Sequence, residues 1–228
     1  MTKLLGTVDL VLGTTGQPEP AQIYVGFDDR HLRDQEKLWK PPLTKALDEV
    51  IANCKEKNGQ ANQQKLYDEV ARLGIGDARW DWRKIHQNYH LDSGAMFIAI
   101  ECAGRTEGLM YLECEIHATR LLPKSQPLIY IDRLAVAPWN RVPLSAAQEY
   151  RGVGRLLVGL AINVSLDKKC NGRIGLHSLQ GAQSFYRTKC GMTDLGPDAM
   201  KEGLNYFEMN ETQAQLLLSR KAHLGGGP

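Results

Sequence analysis

The apolar run LIYIDRLAVAP, residues 128–138, limits the possible folds more than any other part of this sequence. Nearly every position in it is apolar, as expected of a central strand covered on both faces, and Pro138 ends it. A helical pattern then extends to about Cys170, and RIGLHSL, residues 173–179, predicts a second short strand. Strands of one sheet that are joined through a helix run parallel with a right-handed crossover, so these two strands are predicted to be parallel.

The other patterns predict an antiparallel remainder of the sheet with helices around it. In chain order, the predicted elements are strands at 5–12 and 22–27, helices from Leu43 (after Pro41-Pro42) to before Asn58-Gly59 and from about Asn62 to Leu73, a hairpin over 95–118 with its turn at 103–107, a helix from Gln180 to Cys190 and a strand at 204–209. The predicted fold class is therefore α+β (mixed α/β), with a central mixed, mostly antiparallel sheet flanked by helices. Residues 1–228 are expected to form a single domain whose tail, 223–228, is flexible.

Composition and charge narrow the choice of partners. The chain of 228 residues is 43% hydrophobic and 24% charged, and its formal net charge of +2 gives no general reason to expect nucleic acid or a membrane surface. The five cysteines include no pair with the two-residue spacing of a zinc site, so reduced thiols, a cytoplasmic location and no metal are expected. No run approaches the ~18 apolar residues of a membrane span. A homodimer is left open.

The stretch EYRGVGRLL, residues 149–157, places two glycines and two arginines directly before the predicted helix. It does not fit a P-loop, which needs Lys-Ser or Lys-Thr where Arg155-Leu156 stands, or the dinucleotide fingerprint, which needs glycine or alanine at Leu157. The remaining interpretation is a phosphate at a helix N-terminus, where the glycines let the backbone approach the anion. Seven basic residues and one acid in segment 151–191 support it. A simple tight turn stays open as the alternative.

Residues 95–209 resemble the GNAT superfamily of acetyl-coenzyme A-dependent N-acetyltransferases in the order and spacing of their motifs and in the positions of the glycines and prolines that interrupt them. The similar segments are PWNR after the central strand, the EYRGVGRLL helix start, the IGLHSL strand and the AQSFYRTKCGM helix. The superfamily's pyrophosphate-loop pattern, Gln/Arg-x-x-Gly-x-Gly/Ala, falls on Glu149, Gly152 and Gly154, and Glu149 departs from it. PWNR, YRGVG and GRIGLHSL together are similar to a bacterial branch of that superfamily, a similarity that supplies no substrate.

The resemblance implies a V-shaped splay between strands 128–138 and 173–179, with helical residues 28–94 on the substrate side and the coenzyme-binding core at 95–209. It also implies acetyl-CoA, or another acyl-CoA, as cosubstrate. The residues that it places on the coenzyme are Leu134, Ala135 and Val136 of the strand, through their backbone, and Arg151, Gly152, Val153, Gly154 and Arg155 of the turn.

Two residues are predicted to carry the chemistry. Tyr186 is the general acid that the resemblance implies, because a glycine follows this tyrosine five residues on. A core tyrosine beside Phe185 is the structural alternative. Asp132 is the predicted general base, because an acid within an apolar central strand is costly to bury unless it has a partner or a function. It is expected on the same face as Tyr130 and Leu134. An ion pair with Arg133 is the structural alternative.

Other polar residues near the predicted splay have two interpretations each. Trp139, Asn140 and Arg141 follow the end of the central strand and are expected to shape the acceptor pocket, although capping the turn would explain them as well. His177 is either a proton relay or a histidine held in place by hydrogen bonds. Leu179 stands where the superfamily often has a coenzyme-binding asparagine, so that contact is not transferred.

The predicted function is that of an N-acyltransferase, which moves an acetyl or short acyl group from acyl-CoA to a primary amine by direct transfer. The sequence does not identify the amine acceptor. The alternative is a non-catalytic acyl-CoA-binding sensor or interaction module, which the departures at Glu149 and Leu179 favour. A toxin that acetylates aminoacyl-tRNA would use the same chemistry, but the modest net charge gives a nucleic-acid partner little support.

Overall fold

The computed structural model of this protein describes residues 2–55 and 62–222, and nine strands of these residues form one sheet. In chain order the strands are β1 (Lys3–Leu12), β2 (Pro18–Val25), β3 (Ala95–Cys102), β4 (Arg105–Ala118), β5 (Pro127–Val136), β6 (Tyr150–Arg151), β7 (Ile174–Ser178), β8 (Thr193–Asp198) and β9 (Leu204–Met209). Their order across the sheet is β6-β1-β2-β3-β4-β5-β7-β9-β8. β5 and β7 are parallel, as predicted, and the other neighbouring pairs of described strands are antiparallel.

Helices flank this sheet, so the predicted fold class is confirmed. The α-helices of the described residues are α1 (Asp29–Asp34), α2 (Lys40–Asn53), α3 (Gln63–Leu73), α4 (Trp82–Tyr89), α5 (Val153–Asp167) and α6 (Glu211–Ala222). The predicted helix end before Asn58-Gly59 and the tail at 223–228 lie outside the described residues. In the part of the chain that the structure describes, no helix combines the length and the apolar character needed to cross a membrane.

The helix predicted after Pro41-Pro42 begins earlier than the sequence indicates. α1 starts at Asp29, where the Asp28 side chain caps it, and a π-helical turn joins it to α2. Because prolines have no N–H, they cannot donate the bonds of a regular helix. The Lys40 amide directly before them bonds to the Gln35 carbonyl, five residues back. The two prolines therefore lie within a longer helical stretch.

The predicted hairpin is formed by β3 and β4, with a shorter turn than expected. Cys102 pairs with Arg105, so only Ala103 and Gly104 lie between the strands. Their φ angles are 49° and 74°. Positive values at both central residues are typical of the two-residue turn that matches the twist of paired strands. Residues 105–107, predicted as turn, therefore belong to β4.

Two apolar cores lie on opposite faces of the sheet. α5 covers one face, where Leu157 packs in one cluster with Ile129 and Ile131 of β5. The helical segment between β2 and β3 covers the other face, and its buried Trp39 and Trp82 belong to a second cluster. The Trp39 indole also donates to a backbone carbonyl of β4 at 3.0 Å. This hydrogen bond fastens the helical layer to the sheet.

β5 and β7 pair over only three residues. The ladder joins 129–131 to 174–176, and no further register pair between the two strands is present among the described residues. β5 nevertheless continues to Val136, paired with β4 alone, and β7 continues to Ser178. The strands thus part at the place where the V-shaped splay is predicted.

A β-bulge at Asp132 changes the faces that the β5 side chains occupy. The register of β5 against β4 shifts between Ile131 and Arg133, so Asp132 is the extra residue. Leu134 packs, like Ile131, against the core beneath α5, whereas Tyr130 belongs to a separate cluster on the other face. The predicted common face of Tyr130, Asp132 and Leu134 is therefore wrong, because the extra residue reverses the alternation.

The sequence analysis does not predict five of the described elements individually, namely α1, α4, β6, β8 and α6. β6 has only two residues, and β8 contains Gly196-Pro197, which are poor strand formers. β6 pairs with β1, which is distant along the chain, and β8 pairs with β9, which already belongs to the sheet. Their formation depends on tertiary contacts, which local patterns do not contain.

Candidate active site

The glycine-rich turn forms a left-handed backbone step followed directly by α5. Gly152 has a φ of 84°, in the region that residues with a side chain rarely adopt, and the helix begins at Val153. No side chain of the described residues caps this helix start. The Leu156 amide donates to the Gly152 carbonyl at 2.8 Å. The amides before Leu156 have no helical partner and are available to an anion.

Contacts with β1 fix this turn at the edge of the sheet. Tyr150 and Arg151 pair with Leu12 and Val11. The Arg151 guanidinium donates to the Gly13 carbonyl. Arg151, predicted to bind the coenzyme, therefore also holds the backbone around the turn.

Arg155, in the first turn of α5, has two unsatisfied donors. Its Nε and Nη2 atoms are buried and have no hydrogen-bond partner among the described residues. Burying charged donors without partners is costly, and the oxygen atoms of an anion would satisfy them. A Cβ added at Gly154 would lie 3.3 Å from Phe185 and 3.7 Å from Val136. The turn thus lies close to the end of β5, and its residues fit a phosphate-bearing ligand.

Only part of the positive charge counted in the sequence lies at this turn. Arg173 and Arg187 form ion pairs with carboxylates of other elements. Lys168-Lys169 follows the C-terminal end of α5, about 22 Å from its start for a helix of this length. The local charge comes from Arg151 and Arg155, so the count over the whole segment overstated it.

The two departures from the superfamily pattern have structural roles. The Glu149 carboxylate forms an ion pair with Arg105, whose guanidinium carbon lies 4.8 Å from the ring centre of Trp139. Leu179 packs against the turn after α3, where a Cβ added at Gly76 would lie 3.2 Å from its Cδ1 atom. The negative charge of Glu149 is thus paired within the protein.

Of the three β5 residues predicted to meet the coenzyme, two direct their backbone groups towards the splay. The Ala137 amide donates to the Glu107 carbonyl of β4 at 3.0 Å. Alternate residues of a strand turn N–H and C=O towards opposite edges. Ala135 therefore faces β4, whereas Leu134 and Val136 face the edge towards β7.

The polar side-chain atoms of Trp139 and Asn140 are engaged within the protein. The indole Nε1 and the amide Nδ2 donate to Oε2 of Glu107 at 2.7 and 2.6 Å. The Asn140 Oδ1 accepts from the Tyr150 amide at 2.8 Å. These bonds link the end of β5 to the start of the glycine-rich turn. The geometry favours capping of the turn, and a role in the acceptor pocket stays a prediction.

Arg141 joins the helical layer to the end of β5. Its guanidinium makes two bonds of 2.6 Å to the Asp77 carboxylate, and it also donates to the carbonyls of Gly74 at 2.9 Å and Val136 at 2.7 Å. Both charged side chains are only 9% exposed. A buried ion pair therefore holds the turn after α3 beside the splay.

Glu107 is a buried acid that the sequence analysis did not single out. Its side chain has no exposed surface, and Arg105 lies 3.6 Å from its Oε1 atom. Burial raises the pKa of Glu107 to about 7, although the hydrogen bonds from Trp139 and Asn140 oppose the rise. No pattern signals this acid, because charged residues near turns and in alternating strands are usually solvated.

Tyr186, the predicted general acid, lies on the α5 face of the sheet. Its buried ring packs against Phe185 and Phe207 at centroid distances of 5.1 and 5.9 Å. Burial raises the pKa of Tyr186, and the neighbouring Cys190 and Asp77 add to the rise. A phenol with a raised pKa keeps its proton at neutral pH but is a weaker acid than an ordinary tyrosine. Its role as the acid stays a prediction.

Asp132, the predicted general base, pairs with its neighbour. Arg133 Nη1 lies 2.9 Å from Asp132 Oδ2, which is the ion pair that the sequence leaves open. Burial raises the pKa of Asp132, and the Arg133 guanidinium opposes this rise. The ion pair and the basic role are compatible, and the role stays a prediction.

His177 connects two polar side chains on the face opposite α5. The Tyr130 hydroxyl lies 2.7 Å from Nδ1, and Asp198 Oδ2 lies 3.0 Å from Nε2. These partners are 47 and 21 residues away along the chain. The sequence therefore indicated the histidine but gave no partner for it.

Within the described residues, no three His, Cys, Asp or Glu side chains lie together in a way that would hold a metal ion. The five cysteines are buried and are not bonded to one another.

Comparisons with known proteins find structural similarity only. No protein-family model matches the sequence, and no curated protein matches it. A mutant AtaT toxin, solved with the C-terminus of the antitoxin AtaR and acetyl-CoA, is 18% identical, with 64% of this chain and 83% of that chain covered and a TM-score of 0.43. An uncharacterized protein from Bacillus halodurans is 12% identical over 95% and 96% of the two chains, with a TM-score of 0.47. The spermidine N-acetyltransferase from Vibrio cholerae, solved with CoA and spermine, is 14% identical over 85% and 98%, with a TM-score of 0.43.

The class of fold rests on the topology of the chain itself. One parallel pair in an otherwise antiparallel sheet, with a helical crossover between its strands, is the arrangement that the resemblance to the GNAT superfamily implies. The early parting of that pair, next to a glycine-rich helix start, agrees with the same implication. The chain has a GNAT-like fold.

Proposed function

We propose that this protein is a GNAT-type N-acyltransferase, which moves an acetyl or short acyl group from acyl-CoA to a primary amine. The observation that carries the proposal is Arg155 in the first turn of the uncapped helix α5, because two of its guanidinium nitrogens are buried without a partner among the described residues. A helix N-terminus and a guanidinium both favour phosphate oxygens. The parting of β5 and β7 nearby offers a strand edge along which an extended ligand could lie.

The residues would divide the work of binding and proton transfer. The amides of residues 152–155 and the Arg155 side chain would hold the diphosphate, and the strand edge at Leu134 and Val136 would hold the arm that follows it. The coenzyme supplies an acyl thioester, whose leaving thiol resembles a cysteine with a pKa of ~8.5. Tyr186 would donate a proton to the thiolate that leaves.

The acceptor amine must lose a proton before it reacts. For a lysine-like amine with a pKa of ~10.4, this costs about 4 kcal/mol at neutral pH, since each pKa unit is worth ~1.4 kcal/mol. Asp132 is the base that the sequence predicts for this proton. Its burial strengthens it as a base, and the Arg133 ion pair weakens it.

Calorimetry with acetyl-CoA tests the diphosphate site. We expect binding by the wild type and a loss of affinity of at least about 10-fold in Arg155→Gln, because a charged hydrogen bond is worth roughly 1.5–3 kcal/mol. Arg187→Gln is the matched control, since this exposed arginine lies in the same segment and pairs with Asp194. Equal affinities of the two variants, or no binding by the wild type at millimolar acetyl-CoA, would contradict the proposal.

Release of free thiol with a panel of primary amines tests the transfer itself. A sensor would bind the coenzyme and release no thiol with any amine. The sequence favoured that alternative through Glu149 and Leu179, but both residues have structural partners, Arg105 and the turn at Gly76. No observation in the described residues now favours the sensor over the enzyme.

A further inference from the structure

Three hydrogen-bonded side chains form a chain where β5 and β7 begin to part. The Tyr130 hydroxyl bonds to His177 Nδ1 at 2.7 Å, and His177 Nε2 bonds to Asp198 Oδ2 at 3.0 Å. Tyr130 stands opposite Gly175 in the ladder, which ends one pair later. Tyr130 and His177 therefore lie on the two strands that open into the splay.

The three side chains are shielded from water on the face opposite α5. Tyr130 is 5% exposed, and the side chains of His177 and Asp198 are 5% and 12% exposed. This is the face that also carries the helices between β2 and β3, which the sequence predicts on the substrate side. A proton moving along this chain would pass between groups with little contact with solvent.

Asp198, at one end of the three hydrogen-bonded side chains, determines where their protons lie. Asp198 accepts from the Arg120 guanidinium at 2.7 Å and from the Met200 amide at 2.9 Å. These bonds, with that from His177, lower the pKa of Asp198 to about 2, so it is an ionised acceptor at neutral pH. His177 Nε2 must then carry a proton towards Asp198. Burial lowers the pKa of His177, so the ring is neutral at neutral pH and its Nδ1 accepts the Tyr130 proton.

Charges of both signs lie near Tyr130, because Asp132 pairs with Arg133 and Glu113 bonds to His117. The negative charges of Asp132 and Glu113 both act on the Tyr130 hydroxyl, and they add to the effect of burial in raising its pKa. His117 stacks on the Tyr130 ring at a centroid distance of 4.4 Å. The other charged or titratable groups that face the cluster from neighbouring elements are Arg120, Lys201, Tyr206 and Glu208.

We propose that Tyr130, His177 and Asp198, in place of Asp132, form the relay that takes the first proton from the acceptor ammonium; this rests on the proposed function. The N–H bond of the ammonium breaks as the Tyr130 oxygen gains that proton, while the Tyr130 O–H bond breaks and an Nδ1–H bond forms. The Asp198 carboxylate stabilises the resulting imidazolium, which later returns the proton to solvent. As the C–N bond of the amide forms and the C–S bond of the thioester breaks, Tyr186 gives its proton to the departing thiolate and takes the second amine proton. Tyr130 is the catalytic residue of the relay, and His177 and Asp198 act through it.

The pH profile of kcat/KM for a primary amine separates a relay from a merely structural network. If the relay operates, the wild type reacts with the protonated amine. Its kcat/KM then falls on the acid side only as His177 itself becomes protonated, below pH ~6.5. Without the relay, only the free amine reacts, so the acid limb of His177→Gln and Tyr130→Phe should move towards the amine pKa of ~10.4. Their activity at neutral pH should fall by about 10²-fold or more, and the loss should shrink as the pH approaches 10. His90→Gln, at an exposed histidine, should keep the wild-type profile.

Two results would overturn the relay and leave the proposed function standing. One is a loss of activity that is equal at every pH, as expected from a structural defect. The other is a wild-type profile in His177→Gln with thiol release intact. Nitrogen NMR of the histidine rings gives a readout without turnover, because the relay requires Nε2 protonated and Nδ1 accepting from Tyr130; the opposite tautomer would exclude it. If the wild type binds no acetyl-CoA, the proposed function fails, and the catalytic role of the relay fails with it.

Discussion

At the scale of single residues, Glu107 shows how one buried charge can organise a segment. It accepts hydrogen bonds from Trp139 and Asn140, and Asn140 in turn accepts from the Tyr150 amide before the glycine-rich turn. A carboxylate with no exposed surface is costly to keep ionised, which is why its pKa rises to about 7. The protonation of one side chain is therefore linked to the stability of the whole fold.

Glu107→Gln should change how stability depends on pH. Because the pKa of Glu107 is about 7 in the folded protein and 4.5 ordinarily, its contribution to the unfolding free energy is greatest below pH 4.5 and is lost as the pH rises through 7. Glutamine does not titrate. The unfolding free energy of the variant, relative to wild type, should thus rise by about 2 to 3 kcal/mol between pH 5 and pH 8. Urea unfolding at both pH values checks this, with Glu49→Gln, at an exposed glutamate, as the control. An unchanged difference between variant and wild type would show that Glu107 does not titrate in this range.

Tyr186→Phe should lower turnover by about 10²-fold and leave the affinity for acetyl-CoA nearly intact, because general acids contribute roughly 10²- to 10⁴-fold and the ring packing is kept. Thiol release and calorimetry on the same samples measure the two quantities. Tyr67→Phe is the control, since Tyr67 is 54% exposed on α3. Unchanged turnover would remove Tyr186 from the proposed chemistry.

At the scale of elements, helices and strands with a regular apolar period formed where the sequence predicts them. α3 ends at Gly74, whose φ of 63° suits a left-handed helix end, and the hairpin of β3 and β4 has its predicted strands. The elements that the sequence misses, such as β8 with Gly196-Pro197, lack that period. Asp132 misled the pattern in another way, because a bulge reverses the faces and leaves no local signature.

The start of α5 should depend on Gly152. Gly152→Ala should lower the unfolding free energy by about 1 kcal/mol, because alanine must adopt a φ near 84° although no atom within 4 Å blocks its Cβ. Gly6→Ala is the matched control, with equal space around it and no positive φ. Urea midpoints compare the two variants. Equal effects would mean that the backbone conformation at residue 152 is not strained for alanine.

At the scale of the whole molecule, the Asp77–Arg141 pair connects the helical layer to the end of β5. The two residues lie 64 positions apart, and both side chains are nearly buried. Breaking a buried ion pair leaves one charge without a partner, whereas removing both partners avoids that cost. This pair therefore couples two parts of the fold that a local contact could not join.

A double-mutant cycle measures this coupling. Asp77→Asn and Arg141→Met should each destabilise the protein by about 3 kcal/mol, and the double variant should be at least about 1 kcal/mol more stable than the sum of the two effects indicates. The exposed pair Glu69 and Arg72 on α3 is the control cycle, with no measurable coupling expected because solvent screens the two charges. Additive effects at Asp77 and Arg141 would show that the pair carries no coupling.

The sequence by itself determined the mixed sheet, its parallel pair at 128–138 and 173–179, the helix start at the glycine-rich turn and the resemblance that points to acyl transfer. The sheet, the parallel pair and the helix start follow from the period of apolar residues and from where glycine and proline interrupt it, which are local properties. The resemblance rests instead on the segments PWNR, EYRGVGRLL, IGLHSL and AQSFYRTKCGM. Only the tertiary structure decided that Trp139 and Asn140 bond to Glu107 and that Arg141 bonds to Asp77. It also placed His177 between Tyr130 and Asp198. Such contacts join residues far apart in the chain, and a buried polar group takes whichever partner the packing of the sheet and helices brings within reach.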